Sequence, residues 1–376
     1  MAMLGVYKKV DIRWGYQIMK KNILNFTLAE FKTELEKNGV KPFRAQQIFK
    51  WIYAHSLDTI ASQSLGMIMD FKNMTNLSEK LQNELARSYT INLPKIKHVA
   101  HSKADNSYKF LLESKNKDLI ESILMIYENR ITVCVSCMIG CPLKCKFCAT
   151  GSEIGFIRKL TCAEIIGQVI VVQQFLKEKK LGDKVTNVVY MGMGEPFLNV
   201  ENVEKSIEVL RDDYSFGMAK SKITVSTSGV PQNIAAFINK QQVVLAVSLH
   251  FPTNELRDKY MPVNKSFPLE KLIIELKKIK LTKRQYITIE YMMLDGINDT
   301  VAHAKQLVKL LSTLKVKINL IPYNPIKGFD AKPSKEENIK TFAEYLKSKN
   351  IFVFVRLSKG TEFEGGCGQF AFKKLK

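Results

Sequence analysis

Five of the seven cysteines lie within fifteen residues, between Cys134 and Cys148. Three of them, Cys141, Cys145 and Cys148, have the spacing C-x3-C-x2-C. Three thiolates on one short loop can each bind one iron of a cubic [4Fe-4S] cluster and leave the fourth iron open for a substrate. The spacing therefore predicts a catalytic iron–sulfur site.

Two other uses of these cysteines need weighing. Cys134 and Cys137 could join two later cysteines in a structural zinc site, although zinc pairs usually lie on separate knuckles. A disulfide framework suits small secreted chains, whereas this chain has 376 residues and no secretory signal. Because Phe147 completes the usual form of the radical S-adenosylmethionine (SAM) signature, we favour the cluster and keep zinc as the alternative.

Another cysteine, Cys367, lies among glycines near the carboxyl end of the chain. The glycines permit a flexible, closely approached thiol, so nucleophilic chemistry is plausible, although a small buried cysteine is the ordinary alternative. Cys162, inside a predicted helix, has no such context, and we interpret it as structural.

Helices and strands alternate after the cysteine loop. The predicted helices are 161–177, 202–211, 231–240, 268–280, 300–314 and 336–349, and the predicted strands are 186–192, 222–227, 243–249, 285–293, 317–322 and 351–356. With the strand before the cysteines, they give about six βα units, which require a parallel sheet with right-handed crossovers. The predicted fold class is α/β: a partial (β/α)6 barrel of the TIM type with a small N-terminal helical accessory domain.

In such barrels, the chemistry lies at the carboxyl ends of the strands. The segments after the predicted strands are the cysteine loop, Gly192-Met193-Gly194-Glu195-Pro196, Ser226-Thr227-Ser228-Gly229, Ser248-Leu249-His250 and Tyr323-Asn324-Pro325. Each has an ordinary alternative: a tight turn, a helix cap, a core histidine or a turn former. Their common position on one rim favours a shared binding site.

The chain divides into five predicted parts. They are a flexible leader (1–26), a helical accessory or RNA-binding domain (27–94), a β-rich bridge (95–135), the barrel (136–358) and a C-terminal segment with Cys367 (359–376). Three features predict the helical domain: Thr27 as a helix cap, the apolar stripe of Leu28, Phe31 and Leu35, and a second helix after Pro42.

The chain is strongly basic, with 57 Lys and Arg against 36 Asp and Glu. The net charge of +21 favours a polyanionic partner such as nucleic acid, although a solvated basic surface explains it equally well. No apolar run approaches the roughly eighteen residues of a spanning helix, so we expect no membrane partner and a cytoplasmic location.

Several motifs together resemble one family. Seven motifs occur in the order found in the radical SAM adenosine C2 RNA methyltransferases, which the chain resembles. They are KPFRAQQIFKWIY, Cys134 seven residues before the cluster motif, GMGEP, STSG, SLH, NLIPYNP and CGQ. The resemblance spans roughly residues 27 to 372. It implies methylation of adenosine in 23S rRNA, at the peptidyl transferase centre, and of the adenosine 3′ of the anticodon in some tRNAs. It also implies a monomer served by an electron donor such as flavodoxin or ferredoxin.

The resemblance assigns roles to individual residues. It gives Cys141, Cys145 and Cys148 the [4Fe-4S] cluster, and it assigns SAM binding to Gly194, Glu195, Ser226, Ser248, Leu249, His250 and Asn324. Cys367 matches the cysteine that becomes S-methylated, Cys134 its resolving partner and Glu121 the proton acceptor. The rival interpretations are a further metal ligand for Cys134 and a surface salt bridge for Glu121.

The family's scheme suits a carbon that cannot attack the methyl group of SAM, since C2 of adenine is electron-poor. One SAM methylates Cys367, and a second SAM yields a 5′-deoxyadenosyl radical that removes hydrogen from the S-methyl group. The carbon radical adds to C2. Proton loss toward Glu121 and attack of Cys134 on Cys367 then release the product and leave a disulfide.

The sequence departs from the family pattern at a few positions. Cys137 replaces a serine, Met138 a glutamine, Gly365 and Gly366 two alanines, and Phe370 a leucine. Relatives that methylate C8 share the cluster and both cysteines, but Pro196 and the NLIPYNP and KPFRAQQ stretches favour C2. A radical SAM enzyme for another substrate and a non-catalytic zinc RNA-binding protein are further alternatives.

Overall fold

The computed structural model describes residues 20–55 and 70–372. Most of the predicted leader and the segment 56–69 lie outside the described residues. Within them, β1 (Lys21–Asn22) pairs in parallel with β2 (Tyr89–Thr90), and Ile23 and Leu24 are buried. Residues 21–24 therefore pack with the predicted helical domain.

The N-terminal unit contains the predicted helices. They are α1 (Leu28–Lys37), α2 (Phe43–Lys50), which continues as a π-helix over Trp51–His55, and α3 (Glu79–Ser88). Thr27 caps α1 as expected, because its side chain accepts from the Glu30 N–H while Glu30 accepts from the Thr27 N–H. The unit is held together by apolar rings, with Phe31 stacked on Phe49 and edge-on to Tyr89.

In the described part of the chain, ten strands form one continuous sheet. In sequence order they are β3 (Lys95–Ser102), β4 (Ser107–Glu113), β5 (Leu119–Tyr127), β6 (Arg130–Cys134), β9 (Asn187–Tyr190), β10 (Ile223–Thr227), β11 (Val244–Ser248), β12 (Ile287–Met293), β13 (Val316–Pro322) and β14 (Phe352–Val355). In this sheet, β3 to β6 pair antiparallel with one another, whereas β6 and β9 to β14 are parallel. β14 and β3 form the two edges, so the barrel is open.

Helices connect the parallel strands. They are α4 (Cys162–Glu178), α5 (Val200–Arg211), α6 (Ile234–Gln241), α7 (Asn254–Tyr260), α8 (Val263–Ser266), α9 (Leu269–Lys277), α10 (Val301–Leu311) and α11 (Glu336–Ser348). The predicted α/β barrel is confirmed, with element ends within a few residues of those expected. The short helices α7 and α8 were not predicted. No helix in the described ranges combines the length and hydrophobicity needed to span a bilayer.

The β-rich bridge is part of the same sheet as the barrel. β6 pairs antiparallel with β5 on one side and parallel with β9 on the other, so it is also the first barrel strand. A two-stranded hairpin, β7 (Met138–Gly140) and β8 (Phe156–Lys159), follows and encloses the cysteine loop. This arrangement places the cysteine loop at the carboxyl end of β6.

Candidate active site

An open cavity, with about 1000 Å³ of empty space including its solvent-facing mouth, lies at the carboxyl ends of the parallel strands. All the residues predicted for the site, except Glu121, Cys134 and Leu249, line it. They are Cys141, Cys145, Cys148, Gly194, Glu195, Ser226, Ser248, His250, Asn324 and Cys367. The rim expected from the sequence is therefore a single concave surface.

The loop that carries the three cavity cysteines is held by close backbone packing. The Cys141 N–H donates to the Gly155 carbonyl at 2.7 Å. Gly140 has a φ of +71°, and a β-carbon there would lie 1.7 Å from the same carbonyl oxygen, so only glycine fits. The start of the loop is fixed by Gln168 of α4, which bonds the Ser136 N–H at 2.8 Å and the Ser136 carbonyl at 2.9 Å.

The chemistry of these thiols suits a metal cluster. Burial raises the pKa of Cys141 to about 12 and also raises the pKa values of Cys145 and Cys148. Since iron binds the thiolate, the ligand form needs a nearby positive charge, which cluster iron would supply. In residues 20–55 and 70–372, no three His, Cys, Asp or Glu side chains group as tightly as the ligands of one ion. A cubic cluster instead takes each thiolate on a different iron.

Glu195 joins two of the predicted loops. Its carboxylate accepts from the Phe197 N–H at 3.1 Å and from the Ser228 N–H at 2.8 Å. Burial raises its pKa to about 7, while these hydrogen bonds favour the charged form. Next to it, Gly194 has a φ of +97°, and a β-carbon there would lie 2.5 Å from the Met138 β-carbon. A buried carboxylate on the cavity wall can bind a ligand ammonium group.

His250 presents a neutral imidazole to the cavity. Its Nδ1 accepts from the Met292 N–H at 3.1 Å, which places the ring proton on Nε2. Burial, and then the nearby Arg257 charge, lower its pKa to about 3. Leu249, by contrast, is fully buried and is not among the residues that line the cavity. His250 is therefore available as a hydrogen-bond donor.

Arg257 of α7 was not predicted from the sequence. Its guanidinium, completely buried, donates to the Leu249 carbonyl at 2.6 Å, the Ser228 carbonyl at 2.8 Å and the Asn264 side chain at 3.0 Å. One side chain thus ties together the loops after β10 and β11. The sequence offered no signal, because an isolated arginine in a polar stretch usually belongs to a solvated surface.

The segment that carries Cys367 lines the cavity and packs against the cysteine loop. The Cys367 carbonyl accepts from the Asn324 side chain at 3.2 Å, and the Gly368 carbonyl accepts from the Ala149 N–H at 2.7 Å. The Phe370 carbonyl accepts from the Thr150 hydroxyl at 2.8 Å. The exposed Cys367 is therefore fixed directly beside the cysteine loop.

A second open cavity, with about 590 Å³ of empty space including its solvent-facing mouth, adjoins the first and shares Cys367 with it. Cys134 lines this second cavity, and both cysteines are free thiols, so the disulfide implied by the resemblance is not present. Burial raises the pKa of Cys134 to about 12, and the Arg356 guanidinium opposes this rise. Arg356, which sequence reasoning also missed, lines both cavities and lies 3.8 Å from Glu290.

Comparison with known proteins identifies the family. Residues 135–310 match the radical SAM superfamily, and residues 21–91 match the ribosomal RNA large subunit methyltransferase N-terminal domain. A Thermotoga maritima protein described as "Probable dual-specificity RNA methyltransferase RlmN" is 38% identical, covering 95% of this chain and 99% of its own. A Dictyoglomus turgidum protein with the same description is 38% identical, covering 94% and 98%. The chain is a member of the RlmN family of radical SAM RNA methyltransferases.

A solved structure supports the same assignment. The crystal structure of a radical SAM methyltransferase from Sphaerobacter thermophilus superposes with a TM-score of 0.82 at 34% identity, covering 93% of this chain and 98% of that chain. As an RlmN-family enzyme, the protein uses a [4Fe-4S] cluster and SAM. The predicted enzyme class and cofactors are thus confirmed, and the non-catalytic zinc alternative is wrong.

Glu121 lies outside both cavities of this RlmN-family enzyme. It is on β5, is only 1% exposed and lies 2.8 Å from the ammonium nitrogen of Lys109, which is equally buried. The surface salt bridge considered from the sequence is therefore wrong, because the pair is buried.

Cys137, the extra thiol beside the cysteine loop, is also buried. Its sulfur lies 3.7 Å from the Met193 carbonyl oxygen, and it lines neither of the two cavities. Cys162 is fully buried in the core, as expected for a structural residue. Of the seven cysteines, five therefore line the two connected cavities: Cys134, Cys141, Cys145, Cys148 and Cys367.

Proposed function

We propose that the enzyme methylates C2 of adenosine in 23S rRNA, at the peptidyl transferase centre, and the adenosine 3′ of the anticodon in some tRNAs. The observation that carries this proposal is the position of Cys367. It lies on the wall shared by a cavity with the cluster cysteines and a cavity with Cys134. A thiol so placed can accept a methyl group on one side and deliver it on the other. The names of the relatives, which include dual specificity for RNA, support the substrate class.

The first cavity suits both cofactors. We infer that Cys141, Cys145 and Cys148 hold the cluster, and that SAM contacts Gly194, Glu195, Ser226, Ser248, Leu249, His250 and Asn324. When bound, the two groups supply a methyl group, one electron and a hydrogen-abstracting radical, with two SAM molecules consumed per turnover. Glu195 would bind the SAM ammonium group, since a buried carboxylate gains most from an opposite charge.

The residues of the chain carry the methyl group and the protons. The Cys367 thiolate accepts the methyl group and holds it for the adenine ring. Glu121 accepts the proton that leaves C2. The Cys134 thiolate then attacks the Cys367 sulfur, which breaks the bond between this sulfur and the carbon now joined to adenine and leaves a disulfide. The freed carbon takes a proton and becomes the new methyl group, and a one-electron acceptor, for which the bound cluster would serve, takes the unpaired electron of the adenine adduct.

The remaining assignments concern binding. We propose that residues 27–94 form the RNA-binding accessory domain, that 95–135 and 136–358 form the β-rich extension and the catalytic barrel, and that 359–376 carry the methyl acceptor. The large positive charge supports RNA binding, because phosphate neutralisation dominates such affinity. We further propose a cytoplasmic monomer, because its RNA substrates are cytoplasmic, reduced by flavodoxin or ferredoxin.

The decisive experiment replaces the methyl acceptor. Wild type and Cys367→Ser are reconstituted anaerobically and supplied with SAM, a reductant and either a 23S rRNA fragment or tRNA, and the digested RNA is analysed by mass spectrometry. We expect 2-methyladenosine from wild type and none from the variant. Methylated adenosine from Cys367→Ser would refute the S-methylcysteine route, and 8-methyladenosine from wild type would assign the enzyme to the C8 branch.

A second variant tests the role of Cys134. We expect Cys134→Ala to retain the iron content of wild type and to accumulate a covalent protein–RNA adduct, because the bond to Cys367 is no longer broken. An iron assay measures the iron content, and denaturing electrophoresis of the protein with labelled RNA measures the adduct. Loss of iron would instead make Cys134 a cluster ligand.

A further inference from the structure

Lys109 is buried although its side chain is charged. Its ammonium nitrogen lies 2.8 Å from a Glu121 carboxylate oxygen, and each side chain is 1% exposed. Lysine is almost never fully buried unless it is paired. Removing one member of such a pair leaves an uncompensated buried charge, which is costly. The proposed function gives Glu121 a task but leaves Lys109 without one.

The same ammonium group also contacts the segment that carries Cys367. It donates to the Glu364 carbonyl at 3.1 Å and lies 5.4 Å from the centre of the Phe370 ring. Glu364 and Phe370 flank Cys367 in the sequence. Lys109 therefore links the carboxylate on β5 to the methyl-accepting segment.

Strand register places this link beside the resolving thiol. Lys109 of β4 is opposite Ile123 of β5, and Ile123 is opposite Cys134 of β6. Glu121 lies two residues from Ile123 and so projects from the same face of the sheet. Phe370 packs with Ile123 and Cys134 over this face. The proton acceptor, the resolving thiol and the acceptor segment are thus assembled on one surface.

We propose that Lys109 is a positioning residue for the second half of the reaction, where it holds Glu121 as a carboxylate and keeps it against the segment that carries Cys367. This inference rests on the proposed function. In the step concerned, the C2 proton passes to the Glu121 carboxylate, and the electron pair of the C2–H bond stays in the adenine ring. Lys109 keeps its own protons throughout.

Electrostatics explains why a cation is needed there. Burial raises the pKa of Glu121, and the Lys109 charge opposes the rise, as do the nearby N–H groups of Ala371 and Phe372. Other charges around this face have different partners. Glu113 pairs with Lys97 and Lys117, each at 3.3 Å, and Arg356 faces Glu290. Without Lys109, the pKa of Glu121 would rise further, which disfavours the carboxylate that must accept the proton from C2.

The experiment separates the two halves of the reaction. Lys109→Gln, which keeps an N–H donor without the charge, and Lys109→Met are compared with wild type and with Lys97→Gln, a lysine on the neighbouring strand that is 51% exposed. Each reconstituted holoenzyme receives SAM, a reductant and the RNA. Mass spectrometry measures S-methylation of Cys367 and 2-methyladenosine, and denaturing electrophoresis measures the protein–RNA adduct.

We expect both Lys109 variants to methylate Cys367 at the wild-type rate, to accumulate the adduct and to form product about a hundredfold more slowly, the usual contribution of a general base. Lys97→Gln should match wild type. In the Glu121→Gln background, Lys109→Gln should slow product formation no further, because both changes disable the same group.

Several results would overturn the inference. If Lys109→Gln slows Cys367 methylation and product formation equally, the role of Lys109 is purely structural. The same conclusion follows if the Lys109→Gln and Glu121→Gln changes reduce the rate of product formation independently, so that their effects multiply in the double variant. If Lys109→Gln behaves like wild type while Glu121→Gln accumulates the adduct, the role proposed for Lys109 is refuted and the role of Glu121 stands. Absence of methylated adenosine from wild type would refute the proposed function itself.

Discussion

Replacing Arg257 should cost both stability and SAM affinity. The guanidinium makes three short hydrogen bonds to the loops after β10 and β11 and to Asn264. Hydrogen bonds from a charged donor contribute about 1.5–3 kcal/mol each, so the three together contribute roughly 6 kcal/mol. Arg257→Met removes all of them and leaves the Ser228 carbonyl without its arginine partner.

Part of this loss is offset, because the charge is costly to bury. Burial lowers the pKa of Arg257 from 12.5 to about 10. A pKa change of this size corresponds to roughly 3 kcal/mol of unfavourable desolvation, which the methionine variant avoids. The expected net loss in the free energy of unfolding is therefore about 3 kcal/mol. It should lower the urea midpoint by about 1 M if m is near 3 kcal/mol/M.

Function should decline along with stability. The carbonyls that Arg257 holds belong to Ser228 and Leu249, beside the cavity residues Ser226, Ser248 and His250. We expect SAM binding, measured by calorimetry on the folded variant, to weaken by about tenfold or more, since small displacements of positioning groups are costly.

A matched control isolates the effect of burial. Arg284 is exposed, so Arg284→Met should change neither the urea midpoint nor the SAM affinity. Arg257→Lys keeps the buried charge but cannot reach all three acceptors, so it should lose at least as much stability as Arg257→Met. If Arg257→Met unfolds at the same urea concentration as Arg284→Met, the clamp inferred for Arg257 does not exist.

Three further outcomes are expected. Gly229→Ala should lower the free energy of unfolding, measured in urea, by about 1–3 kcal/mol, because φ is +101° and the new β-carbon would lie 2.9 Å from the Arg257 guanidinium. Unchanged stability would contradict this close packing. The pKa of His250 is lowered to about 3 in the fold, so its stabilising contribution is full above the unfolded value near 6.5 and is lost as the pH falls toward 3. When the pH is lowered from about 7 to 5.5, the free energy of unfolding measured by urea titration should therefore fall by about 1 kcal/mol more in wild type than in His250→Gln. Equal losses in the two proteins would mean that the imidazole is solvated and not buried. Cys137→Ser should retain the wild-type yield of 2-methyladenosine, because Cys137 lines neither cavity; a large change in adduct release would give this thiol a part in disulfide resolution.

The sequence predicted the barrel well because its pattern is local. Apolar spacing changes between helix and strand periods, and glycines and polar residues mark the strand ends. Those ends also placed Glu195, Ser226 and His250 on one rim, since parallel strands share a carboxyl edge. The pairing of the other bridge strands with the first barrel strand was not predicted, because strand pairing depends on which distant partner presents a complementary edge.

The charged residues that hold the site together were not found in the same way. Arg257 and Arg356 each stand among ordinary polar residues, and Lys109 lies within an alternating strand of a lysine-rich chain. Their burial is what distinguishes them, and burial depends on the elements that pack over them. For Lys109 those elements include the carboxyl-terminal segment, which is remote in the sequence.

By itself, the sequence determined the cluster motif, because the spacing of Cys141, Cys145 and Cys148 fixes how far apart their thiols can lie on a single loop. It also determined the order of strands and helices. Only the tertiary structure decided that Cys367 joins two cavities, that Cys134 lines the second, and that Glu121 is buried beside Lys109. Covalent spacing limits distances within a loop, whereas contacts between remote segments depend on how the whole sheet and its covering segment pack.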